Sequence, residues 1–115
     1  MAGQDQVWTG RGWADRFALP FDASANGYGQ TSDEVAQVRA SAELLLGYLQ
    51  DTTDVTLAYL ERLQDEDLDV VVDESWDPPV TLGTRLVSIL ADDLEHAGQA
   101  GYLRGILDRT GATTG

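Results

Sequence analysis

At 115 residues and 12.4 kDa the chain is one small domain or part of one, because a single hydrophobic core usually takes about 100–150 residues. It is 43% hydrophobic and 23% charged, too apolar to stay wholly disordered, so some part of it must bury a core. A net charge of −13 argues against a nucleic-acid backbone or an anionic membrane surface as partner, since both need clustered basic residues, and the absence of Cys excludes disulfides, thiolate metal sites and cysteine nucleophiles.

The first residues, Met1-Ala2-Gly3-Gln4-Asp5-Gln6, have neither a basic start nor an apolar run. No stretch approaches the ~18 apolar residues of a membrane span, so a cytoplasmic chain is expected. Residues 1–30 combine several Gly and Pro20 with Trp8, Trp13, Phe17, Phe21 and Tyr28. That composition predicts an irregular arm, ordered only by laying its rings on something else, with a short helical turn near Trp13 to Ala18 that Leu19-Pro20 ends.

Thr31-Ser32-Asp33-Glu34 is a capping box, and a long helix to about residue 64 is predicted behind it. Apolar or small residues recur at Val35, Val38, Ala42, Leu45, Leu49, Thr52, Thr56, Tyr59 and Leu63 in steps of three and four, the seam of a helix bundle. Gly47, in the middle of this helix, costs about 1 kcal/mol against Ala unless a neighbour packs closely on it.

Residues 65–77 hold seven acidic residues in thirteen around Leu68 and Val70-Val71-Val72. No second alternating segment is visible to pair with the valines, so a connector with solvated acids is expected rather than a strand. The ligand spacing of an EF-hand is missing. Asp77-Pro78-Pro79 stops any preceding helix, and Thr81 is a suitable cap for a second long helix from about Leu82 to Leu107. On that helix Leu82, Ile89, His96, Ala100, Leu103 and Leu107 fall on one face, while Gly83, Val87, Leu90, Leu94, Gly101 and Gly105 fall opposite, so two sides need cover.

The only His is His96, with Asp92 at i−4, Asp93 at i−3 and Gln99 at i+3. A carboxylate one turn before an imidazole can chelate a divalent metal, orient the ring as a base, or simply pair with it inside a bundle. Two donors fall short of the three protein ligands usual at a catalytic zinc, so others would have to come from another segment or chain. No phosphate-cradling loop and no Gly-x-Ser-x-Gly turn is present.

Val7-Trp8-Thr9, Gly12-Trp13-Ala14-Asp15-Arg16-Phe17, Gly27-Tyr28-Gly29, Trp76-Asp77-Pro78-Pro79-Val80-Thr81-Leu82-Gly83 and His96-Ala97-Gly98-Gln99-Ala100 together resemble a bacterial branch of the DinB-like superfamily. The resemblance implies a four-helix bundle, often dimeric, with relatives that bind a divalent metal through three His and include mycothiol- and bacillithiol-dependent transferases and isomerases. By the same resemblance His96 matches the last metal ligand, and Asp92 stands where a ligand His often does. The family's earlier ligand His lies upstream of the segment that resembles Ala2 to Trp8, so the chain is expected to be the domain without its first helices.

The expectation is therefore an all-α, partial four-helix bundle in a single domain of residues 1–115. It would comprise an arm at 1–30, an antiparallel helical hairpin at 31–109, a flexible tail at 110–115 and completion by a homodimer. The expected function is a metal-assisted, thiol-dependent transferase with Zn or Ni at His96 and Asp92 and a small-molecule substrate, no nucleic acid and no membrane. The alternative is a non-catalytic helical association protein.

Overall fold

A computed structural model describes residues 5–112. The fold is all-α in character, with five α-helices and one short strand pair among the described residues. The chain divides into two units, Met1–Arg62 and Leu63–Gly115.

The first unit holds α1 (Val7–Gly10), α2 (Trp13–Phe17), α3 (Ser32–Ala36) and α4 (Ala42–Leu60). The predicted turn near Trp13 is α2, and α1 is an additional turn within the arm. Gly12, at φ 76°, adopts the left-handed conformation that costs a residue without Cβ least, and so starts α2 directly after α1. The arm is ordered by its rings. Trp8, Trp13 and Phe17 each stand 5.4–5.8 Å from Tyr48 on α4, in tilted or edge-on geometry.

Trp13 is the buried centre of this unit, at 7% exposure. Its indole lies over Gly47, where any Cβ would come within 2.7 Å of the ring edge, so the missing side chain is what lets the ring reach the helix. The Trp13 Nε1–H donates to Asp51 Oδ2 at 2.8 Å, Arg11 pairs with the other carboxylate oxygen, and the Arg16 guanidinium covers the ring at 3.9 Å.

The single helix predicted from 32 to 64 is instead two. The capping box forms as expected, with Thr31 Oγ1 accepting from Glu34 N–H and Glu34 accepting from Thr31 N–H, yet α3 lasts one turn. Ser41 then caps α4 by accepting from Leu44 N–H. The seam spacing runs unbroken across residues 37–41, which is why periodicity overlooked the break, whereas a serine hydroxyl competing for free amides favours a restart.

The second unit holds a 3₁₀ helix (Asp65–Asp69), β1 (Val71–Asp73), β2 (Val80–Thr81) and α5 (Leu82–Thr110). The expected strandless connector is corrected here. β1 pairs antiparallel with β2, Val71 opposite Thr81 and Asp73 opposite Val80, and the Leu82 amide donates to Val70 O at 2.8 Å. A two-residue partner is too short to show alternation in a sequence. Asp73 ties the pair to α5 through Arg85 at 2.9 Å, with Ser75 donating to the same carboxylate.

Leu82, the other buried side chain among the described residues, begins α5 under the cap that Thr81 supplies to Thr84 N–H. Leu68 packs on Gly83, its carbonyl oxygen 3.2 Å from where a Cβ would stand. No helix continues across Pro78, as the Asp77-Pro78-Pro79 stop requires. The helix runs to Thr110, three residues beyond the expected Leu107, and is capped by Gly111 at φ 67°. Of the expected tail, residues 113–115 lie outside the described residues, as do residues 1–4 of the arm.

Two outcomes follow for the first unit. Gly47→Ala adds helix propensity of about 1 kcal/mol but drives a methyl into a rigid indole, so a net loss of ~1–2 kcal/mol is expected. A lower urea midpoint with weakened near-UV circular dichroism would agree; a raised midpoint would not.

The Trp13 N–H, helped by Arg11 and Arg16, holds the Asp51 carboxyl below its ordinary 3.8 against partial desolvation. A depressed folded pKa stabilises the fold above the unfolded value, and that stabilisation is lost as pH falls through the lowered pKa. Between about pH 5 and pH 3, Asp51→Asn should therefore show a flatter loss of urea midpoint than the unsubstituted chain. Equal slopes would remove this role.

Candidate functional site

The chemistry-bearing residues stand half-way along α5. Asp92, His96 and Gln99 follow one another at i, i+4 and i+7, a spacing that stacks side chains on adjoining turns. His96 Nδ1 lies 2.8 Å from Gln99 Oε1. A carbonyl oxygen only accepts, so Nδ1 carries a proton, and in the neutral ring Nε2 then holds the lone pair. Nε2 faces Asp92, 3.6 Å from its Oδ1, and both side chains are about two-thirds exposed.

The distance suits a shared metal better than a direct hydrogen bond. Two ligands at about 2.1 Å from a tetrahedral ion stand about 3.4 Å apart, close to the 3.6 Å found. The residues present thus fit two positions of a divalent ion and leave the rest unfilled, since among the described residues no three His, Cys, Asp or Glu side chains converge. His96 is not the buried histidine that a purely structural reading of the sequence would have required.

The sequence singled out His96 and Asp92 as candidate donors and placed Gln99 beside them; the contact of Gln99 with Nδ1 needed coordinates. Sequence reasoning also missed an open hollow of about 630 Å³ in the first unit, lined in part by Trp8, Phe21 and Tyr48 with Asp15, Asp22 and Gln30. The Asp22 carboxylate there is held below its ordinary value by the Ser24 hydroxyl and amide, both of which donate to Oδ1. The hollow has no paired base and nucleophile.

The all-α fold is that of the DinB-like class. The sequence model of the mycothiol-S-transferase family matches residues 1–109, and the chain belongs to that family. Among solved structures it is similar to a conserved protein from Enterococcus faecalis, with a TM-score of 0.80 and 37% identity over 88% of this chain. The chain spans 60% of the length of that protein's chain. No curated protein matches it.

Replacing Gln99 by Leu removes the acceptor at Nδ1. Nitrogen-detected NMR of neutral His96 should show the Nδ1–H tautomer dominant in the unsubstituted chain and the Nε2–H form gaining in Gln99→Leu. No change between the two would sink the orienting role.

Proposed function

We propose that the protein is a thiol S-transferase of the mycothiol-dependent, metal-assisted kind, acting on a small electrophilic substrate in the cytoplasm as a homodimer. The observation that carries this reading is the donor geometry: Nε2 of His96 and Oδ1 of Asp92 at 3.6 Å, with Nδ1 tied to Gln99. The family match over residues 1–109 supports a thiol of the mycothiol type as co-substrate. His96 and Asp92 would hold a divalent ion, which would supply the charge that favours the thiolate form of a coordinated thiol. The chain's own part is to keep the imidazole in the ligating tautomer and to set a carboxylate beside it.

A second reading is favoured by one observation, the count of donors. With two where catalytic sites usually have three, the chain could be a non-catalytic association protein. No described helix is long and apolar enough to cross a bilayer.

The test is thioether formation by the full chain with Zn²⁺ or Ni²⁺, mycothiol and a fluorogenic electrophile. Turnover above the uncatalysed rate is expected, falling to background in His96→Ala and about tenfold in Gln99→Leu. If no metal raises the rate above background, the association reading replaces the transferase.

A further inference from the structure

Asn26 is the only asparagine of the chain, and Gly27 follows it. Both are exposed in the connection between α2 and α3, on the wall of the open hollow, and the function proposed above uses neither.

Their geometry favours one reaction. The Asn26 side chain folds back so that Oδ1 accepts from the Tyr28 N–H at 3.0 Å. In such a turn the Cβ–Cγ bond stands in for a backbone step of a β-turn, which brings Cγ round towards the Gly27 nitrogen. The atoms of a small ring, Cγ, Cβ, Cα and C of Asn26 with N of Gly27, are thus already bent into an arc. Gly27, at φ 86°, has no Cβ to hinder closure, and among the described residues its N–H meets no backbone acceptor. Its carbonyl accepts from the Gln30 N–H at 3.3 Å, so the peptide that carries the Tyr28 donor is held on both sides.

We propose that Asn26 is a site of self-modification, at which the main chain of Gly27 displaces the side-chain amide and leaves aspartate or isoaspartate. The Gly27 amide gives its proton to hydroxide, and its nitrogen bonds to Cγ. Charge then develops on Oδ1, where the Tyr28 N–H already donates, an arrangement that stabilises an oxyanion. The Cγ–Nδ2 bond breaks, Nδ2 takes a proton from water and leaves as ammonia, and a succinimide remains. Water opens that ring: attack at Cγ yields aspartate, and attack at the main-chain carbonyl carbon of Asn26 yields isoaspartate. The sum is amide and water to acid and ammonia, with no oxidant, reductant or cofactor. Either product adds a carboxylate to a wall that already holds Asp15 and Asp22. Isoaspartate also adds a methylene to the main chain, so the charge and shape of the hollow change with the age of the molecule.

The experiment follows the intact mass of the full chain during incubation at neutral pH, native and in guanidinium chloride. Fragmentation places the change, and an isoaspartyl methyltransferase labels isoaspartate. A gain of about 1 Da at Asn26 is expected, about tenfold slower one pH unit lower because the amide must lose its proton. Asn26→Gln should abolish it. Denaturant removes the turn, so the native chain should react about threefold or more faster than the unfolded one. Tyr28→Pro removes the donor to Oδ1; with far-UV circular dichroism unchanged, it should slow the native chain to the unfolded rate and leave the unfolded rate as it was. A native chain that reacts no faster than the unfolded one would overturn the proposal, whatever the fate of the proline variant. So would a folded Tyr28→Pro chain as fast as the unsubstituted one.

Discussion

A helix in water holds its shape when an apolar face is covered, and the chain meets that constraint fully at only two described side chains, Trp13 and Leu82. In the first unit everything is arranged around the indole: a helix position without a side chain beneath it, a carboxylate at its N–H, a guanidinium over its face and two further rings, Phe17 and Tyr48, against it. In the second, a strand pair and a 3₁₀ turn close over the first turn of α5. The remaining apolar side chains of α4 and α5, Leu45, Leu46, Leu49 and Leu94 among them, are more than half exposed. The unmet share of the constraint is what directs attention to an assembly.

Signals that depend on a few neighbouring residues were legible in the sequence. The capping box at Thr31, the cap at Thr81, the stop at Pro78 and the close neighbour demanded by Gly47 each have a local physical cause, and each is found. Features decided by competition were not. Whether residues 37–41 continue a helix depends on the Ser41 hydroxyl winning amides from the next turn, and the apolar repeat does not register that contest. β2 consists of two residues, below the length at which alternation can be recognised.

The candidate site was legible to the extent that it is built from one helix. A turn of helix fixes the spacing of Asp92, His96 and Gln99, so proximity follows from residue numbers alone. The ring orientation does not, because an imidazole can offer either nitrogen, and only the 2.8 Å contact to Gln99 selects one. The number of donors is likewise invisible from one helix, since ligands commonly converge from different segments or subunits.

The placement of the indoles has a practical consequence. Trp13 is enclosed in the first unit, whereas Trp76, in the second, is 66% exposed. A neutral collisional quencher such as acrylamide reaches an exposed indole far more readily than an enclosed one, and iodide would be repelled by a chain of charge −13. Emission that resists acrylamide therefore comes chiefly from the first unit, so quenching along a denaturation curve reports whether the two units open together or in turn.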